Sequence, residues 1–145
     1  MGKNVKFRMS QINLKQFAIL SERIPDNPLN MNTQIKFGCD INHHIIVCDF
    51  SLELLSDDSK LLICELECAF EIEANDWERL KNKDGNKMIV QRNILEYISV
   101  QTIGTMRGVL YTKTEKTPYS IFIIPPINVS AMNIEDMEID INVGD

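Results

Sequence analysis

The chain is 145 residues long, with 44% hydrophobic residues, 25% charged residues and a formal net charge of -6 at pH 7. This length predicts a single domain, residues 1–145, with enough apolar surface to bury a core. The negative charge argues against nucleic-acid binding, which needs a clustered positive surface. An acidic surface suits a basic partner protein, or serves only to keep the chain in solution.

The sequence predicts a cytoplasmic protein without a membrane span. Residues 1–8 alternate charged and apolar side chains, so they lack the apolar core of a signal peptide. No run of about eighteen apolar residues is present, which excludes a membrane-spanning helix. Without an export signal, the four cysteines are expected to be reduced thiols. They are Cys39, Cys48, Cys64 and Cys68.

The first predicted strand runs from Val5 towards residue 19. From Val5 to Met9, apolar and basic residues alternate, which is the period of a strand with one solvent-exposed face. The apolar positions then shift in phase at Ile12 and shift again at Phe17. We therefore expect one or two β-bulges, or a strongly bent strand.

A proline-containing connection and a hairpin follow. Residues 22–32 contain two prolines and several asparagines, which predicts an irregular connection. Alternation returns at residues 34–40, and Asn42-His43 forms a turn before a strand over residues 44–55. A further turn at residues 56–59 leads to the next strand.

The two strands after the connection have the most regular alternation. The predicted inward side chains are Ile46, Cys48, Phe50, Leu52 and Leu54 in the first, and Leu62, Cys64, Leu66, Cys68, Phe70 and Ile72 in the second. The opposite face of the second strand carries Glu65, Glu67, Glu71 and Glu73. We expect this row of carboxylates to be solvated.

Helices are predicted to cover the apolar face of the sheet. Residues 75–80 begin with N-cap candidates and predict a short helix. Between Lys87 and Tyr111, apolar residues recur at steps of three and four, which predicts a long amphipathic helix. Residues 119–124 are expected to be a short strand or an extended segment, and residues 137–143 an edge strand. The predicted fold is α+β: a four-stranded antiparallel sheet with one long helix and a short helix packed on one face.

Several of these segments occur in an order that one known family shares. They are the strand from Phe7 to Leu20, the connection with prolines, the hairpin, the strand with Ile63-Cys64-Glu65-Leu66, the long helix ending near Arg107-Gly108, and Pro126-Ile127-Asn128-Val129. In this order they resemble the SecB family of export chaperones. Each segment alone is common, and it is the combination over nearly the whole chain that is specific.

The resemblance implies a homotetramer, built as a dimer of dimers, that holds unfolded preproteins in apolar grooves. Candidates for lining such a groove are Leu20, Ile24, Leu29, Met31 and Tyr119. The alternative is that these residues only cap the edge of the sheet. The family also buries its long helix between subunits, which makes Ile94 and Ile98 candidates for the oligomer interface.

Two departures from the family pattern concern its partners. In the family, acidic residues on the sheet dock the translocation motor SecA. Glu65 falls on one such position, whereas Gln16 and Leu20 stand where the pattern has carboxylates. The sequence also ends without the basic, Cys- and His-containing zinc tail of many members. It resembles more closely the divergent, solitary or toxin-antitoxin-associated SecB-like proteins, for which an antitoxin is an expected partner.

Neither an enzyme nor a metal site is indicated. The hairpin carries potential zinc ligands in Cys39, His43, His44 and Cys48. However, thiols on apolar strand faces act as small hydrophobic side chains, and the spacing lacks a C-x-x-C pair. No G-x-S-x-G, H-E-x-x-H or Gly-rich phosphate loop is present. We therefore expect no catalytic residues, no cofactor and no bound metal.

The sequence leaves two hypotheses for function. The first is an ATP-independent chaperone that binds unfolded or non-native polypeptides, in preprotein export or beside a toxin-antitoxin system. The second is a homo-oligomeric interaction module that binds one folded partner and is not a chaperone.

Overall fold

The computed structural model of the chain describes residues 5–141. The strands and α-helices are β1 (Phe7–Ile19), β2 (Asn30–Asp40), β3 (Ile45–Ser56), β4 (Ser59–Ile72), α1 (Ala74–Arg79), β5 (Lys87–Val90), α2 (Arg92–Lys113) and β6 (Met137–Asp140). Short 3-10 helical turns lie at Ile41–His43, Pro118–Ile121 and Val129–Met132. Both ends of the predicted domain, including Val143 of the last predicted strand, lie outside the described residues.

The main sheet has four antiparallel strands in the order β1-β4-β3-β2. β3 and β4 are joined by a tight turn in which Asp57 and Asp58 both have positive φ angles, 47° and 66°. Two successive residues in this left-handed region are typical of the turn that best matches the twist of a hairpin. The connection over residues 20–29 carries the chain from β1, at one edge, to β2, at the other. The predicted four-stranded antiparallel sheet is confirmed.

β1 stays in register with β4 only through two bulges. They lie between Met9 and Gln11 and between Leu14 and Gln16, so Ser10 and Lys15 are inserted residues that have no opposite residue in the register with β4. Because side chains alternate between faces along a strand, each insertion reverses the phase of the residues that follow. The two phase shifts read from the apolar pattern are thereby confirmed.

The core lies between the central strands and α2. All of the predicted inward residues of β3 and β4 are at most 2% exposed. From the helix side, Leu95, Ile98 and Met106 pack against them and are fully buried. The edge strands are covered less well, since Phe17 on β1 and Phe37 on β2 share the inner face but are only half-buried.

The short helix α1 closes one end of this core. Its N-terminus is capped by the Glu73 carboxylate, which accepts hydrogen bonds from the backbone N–H groups of Asn75 and Asp76 at 3.1 and 3.3 Å. Trp77 is 1% exposed. The His44 ring stacks on it, with ring centroids 5.0 Å apart.

The long helix begins at Arg92, so the prediction that it begins at Lys87 is wrong. Residues 87–90 form β5, which pairs with β6 in a separate two-stranded sheet. The spacing from Val90 to Ile94 fits a helix, but Met88 and Val90 also alternate as in a strand, and both are fully buried. The edge strand predicted near the C-terminus is therefore β6, paired with β5 and not with the main sheet.

Two other predicted boundaries change. β2 begins at Asn30, so Met31 lies in a strand and not in the connection. Residues 118–121 form a 3-10 helical turn where a strand or extended segment was expected. Thr117 starts this turn because its hydroxyl accepts a hydrogen bond from the Tyr119 N–H at 3.1 Å.

The candidate interface residues on α2 face the core of their own chain. Ile94 is 5% exposed and Ile98 is 0% exposed, so their side chains are not available to a second subunit. The apolar side chains that α2 exposes are Tyr97, Val100 and Tyr111.

Replacing Ile98 is consequently expected to weaken the fold of the single chain. Ile98→Ala should lower the free energy of unfolding by about 2–5 kcal/mol, because it leaves a cavity between α2 and the sheet. Val100→Ala, on the exposed side of the same helix, should change it by no more than about 0.5 kcal/mol. Urea unfolding followed by circular dichroism measures both, and equal effects would contradict this packing.

Candidate functional site

Two segments without strand structure lie against each other beside the main sheet. One is the connection over residues 20–29, and the other is the segment over residues 118–124 that follows α2. The Tyr119 hydroxyl donates a hydrogen bond to the Ser21 carbonyl oxygen at 2.7 Å. The two segments are therefore within the length of one tyrosine side chain.

Four large apolar side chains of these two segments are exposed. Leu20 is 52% exposed and Leu29 37%, while Ile121 and Ile123 are 79% and 56% exposed. We call these four residues the apolar rim. Large apolar side chains exposed on adjoining segments are a feature of surfaces that bind another molecule.

The other residues predicted for the groove lie deeper. Ile24 and Met31 are half-buried and pack against the core, so they contribute a partly accessible floor. Tyr119 is 0% exposed, so it offers no surface to a ligand, in contrast to the expectation. Its role in the chain is to join the two segments through its hydroxyl group.

Ile121 and Ile123 were not among the predicted residues, although the sequence contained a signal for them. The signal is an alternation of burial after the 3-10 helical turn. Phe122 and Ile124 face inwards, whereas Ile121 and Ile123 face outwards. Arg107 holds this segment against α2 by donating hydrogen bonds to the carbonyl oxygens of Ile124 and Pro125, at 2.8 and 3.2 Å.

The face of the sheet away from α2 carries a polar groove of about 730 Å³. Its side chains come from all four strands, with Gln16, Glu65, Ser51 and Gln34 aligned in one cross-strand row. Leu20 lies at one end of this groove, so one residue of the apolar rim also borders the polar face.

Glu65, the candidate for motor docking, lies on this polar face and is engaged within the chain. The Lys15 Nζ atom lies 3.1 Å from an Asp49 oxygen, 3.6 Å from a Glu65 oxygen and 3.5 Å from a Glu67 oxygen. A hydrogen bond to Asp49, followed by burial, raises the pKa of Glu65 above its ordinary value. The carboxylate row is thus not simply solvated, which corrects the expectation for Glu65.

The Cys and His residues of the hairpin do not converge. His43 contacts Asp40 at 2.8 Å, and His44 stacks on Trp77. Burial raises the pKa of the Cys48 thiol to about 12, so this sulfur stays protonated at neutral pH. Within residues 5–141, no group of three or more His, Cys, Asp or Glu side chains is arranged to hold a metal ion.

None of the helices in the same part of the chain has the length and hydropathy needed to cross a membrane.

Comparison with known proteins gives a match at the level of the fold. No family model matches the chain, and no curated protein matches it in sequence. A solved SecB-like chaperone of Mycobacterium tuberculosis, in complex with a peptide from an antitoxin, superimposes with a TM-score of 0.54 at 14% identity. The match covers 82% of this chain and 88% of that chain. The fold is SecB-like.

This assignment confirms the fold that the resemblance implied. A second solved structure, a protein of unknown function from Streptococcus agalactiae, covers 78% of this chain and 90% of its own, with 12% identity and a TM-score of 0.35. That score is too low to relate the two folds. The SecB-like fold rests on the first structure and on the strand order described above.

Tyr119 provides a test of how the apolar rim is held together. Tyr119→Phe removes the hydrogen bond to Ser21 and should lower the free energy of unfolding by about 1 kcal/mol. Because it frees the connection from the neighbouring segment, limited proteolysis should cut faster within residues 20–29. Tyr111→Phe is the matched control, since Tyr111 is 50% exposed. Unchanged cleavage in the Tyr119 variant would contradict this role.

Proposed function

We propose that this chain is an ATP-independent chaperone that binds unfolded or non-native polypeptide segments. The observation that carries the proposal is the apolar rim, four exposed apolar side chains on two adjoining segments of a SecB-like fold. A non-native chain exposes apolar side chains in many sequences, and a surface that binds it needs apolar area but no sequence-specific contacts. The rim and its half-buried floor, Ile24 and Met31, have this chemistry.

The proposed clients are unfolded or nascent chains and antitoxin segments in the cytoplasm. The solved SecB-like chaperone of Mycobacterium tuberculosis binds a peptide from an antitoxin, which supports a peptide ligand for this chain. A role with SecA in preprotein export has less support. Gln16 lacks the expected charge, and Glu65 is already engaged by Asp49 and Lys15.

The proposal includes assembly into a homotetramer. The outer side of α2 supports it, because Tyr97, Val100 and Tyr111 are each at least 50% exposed. Tyr97 also packs edge-on against Phe7, with ring centroids 5.3 Å apart, so this surface is continuous with the start of β1. Burial of such aromatic side chains is a common source of interface energy.

The test is suppression of aggregation. A guanidinium-unfolded client enzyme is diluted into buffer with the chaperone, and light scattering is followed over time. The wild-type chain should suppress the scattering without ATP, and the double variant Ile121→Ser, Ile123→Ser should lose most of this effect because the two most exposed side chains of the rim are removed. Ile12→Ser is the matched control, since Ile12 is 53% exposed but lies in the middle of β1.

The size of the protein is measured in the same samples by multi-angle light scattering. A strictly monomeric protein that leaves client aggregation unchanged would overturn the proposal. Recovery of a single folded partner in equal amount, with no effect on unfolded clients, would instead support an interaction module.

A further inference from the structure

A buried carboxylate oxygen on the polar face of the sheet lacks a donor. The Asp49 side chain is 6% exposed, and its Oδ1 atom has no hydrogen-bond partner among the described residues. A buried ionised oxygen without a donor is costly, so native structures seldom leave one unpaired. A group near Asp49 is therefore expected to donate a hydrogen bond to this oxygen.

Lys15 does not donate a hydrogen bond to Asp49 Oδ1. Lys15 is the inserted residue of the second bulge in β1, and the bulge turns its side chain towards the carboxylates of Asp49, Glu65 and Glu67. Its hydrogen bond goes to the other oxygen of Asp49, Oδ2, at 3.1 Å. The ammonium group therefore balances charge in the cluster but leaves Oδ1 without a donor.

Glu65 is the neighbour that can donate. It lies diagonally across from Asp49 on the same face, since Glu67 pairs with Asp49 and Glu65 pairs with Ser51, two residues further along β3. Diagonal neighbours on one face of a sheet are within reach of long side chains, and one atom, Lys15 Nζ, lies 3.1 Å from an Asp49 oxygen and 3.6 Å from a Glu65 oxygen. Hydrogen bonding with Asp49 is the first cause of the raised pKa of Glu65. Two carboxyl groups can form a hydrogen bond only when one of them carries a proton.

We propose that Asp49 and Glu65 hold one proton between them, and that this acid-carboxylate pair is a proton-binding site on the polar face of the sheet. Lys15 from β1 and Glu67 from β4 complete the site, and Lys36 lies opposite Asp49 on β2. Loss of the proton leaves the cluster with one more negative charge. The affinity of this face for a cationic group therefore rises with pH.

The effect of the pair on stability has a definite sign. Because the pKa of Glu65 is raised in the fold, the folded chain binds the proton more tightly than the unfolded chain. This stabilisation of the folded chain is fully present at pH below 4.5, the ordinary pKa of a glutamate side chain. It is lost as pH rises through the raised pKa of Glu65 in the folded chain. The pKa of Lys15 is also raised, mainly by its hydrogen bond to Asp49, so its contribution is lost only at pH above 10.5.

Carboxyl-carbon NMR of the labelled full-length chain tests the proposal directly. The side-chain resonance of Glu65 should titrate above pH 4.5, because the neighbouring Asp49 oxygen favours the protonated form of Glu65. In the Asp49→Asn variant, the Glu65 midpoint should move to lower pH. A Glu65 midpoint at or below 4.5 in the wild-type chain would overturn the proposal.

A second variant keeps the test decisive if Asp49→Asn does not fold. In Glu65→Gln, the new amide group donates to Asp49 Oδ1 at every pH, so the loss of stability as pH rises above 4.5 should largely disappear. Glu67→Gln is the matched control and should retain the wild-type dependence, because Glu67 is not the donor. If Glu65→Gln keeps the wild-type dependence, the proposal is contradicted.

Discussion

Helix α2 is narrower than the sheet that it covers, and this mismatch governs the rest of the molecule. An α-helix with its side chains is about 10–12 Å across, whereas the outer strands of a four-stranded sheet lie about 15 Å apart. One helix therefore seals the inner face of the two central strands, β3 and β4, and leaves the edge strands half-covered. The connection after β1 and the segment after α2 close part of this gap. They do so with inward side chains such as Tyr119 and Ile124, while the alternate positions remain outside as the apolar rim.

The two faces of the sheet have different chemistry because successive side chains of a strand point to opposite faces. The inner face is apolar and determines the fold, whereas the outer face collects carboxylates, amides and Lys15 around a shallow groove. The bulges of β1 affect the side chains on both faces of the sheet. Each inserted residue keeps the apolar side chains on the inner face, and the insertion of Lys15 also delivers an ammonium group to three carboxylates. A bulged edge strand is also a poor template for pairing with another chain.

The sequence predicts most of the fold because a period of two residues is a local property. The alternation in β3 and β4, and the phase shifts at Ile12 and Phe17, required no knowledge of tertiary contacts. The four residues of β5 could not be separated from the helix that follows, because Val90 and Ile94 fit both periods and only pairing with β6 decides between them. The site was predicted less well. The hydrogen bond of Tyr119 spans 98 positions in the chain, and the burial of Asp49 depends on three strands, so neither has a local signature.

The central claim is that the open edge of the inner face, at residues 20–29 and 118–124, is where this SecB-like fold holds a non-native chain. Hydrogen-deuterium exchange of the full-length protein, with and without an excess of an unfolded client, measures it directly. Amides of these two segments should exchange more slowly when the client is present, while α1 and β5 should be unchanged. If the client stays bound and both segments exchange at the same rate as in the free protein, the account is contradicted.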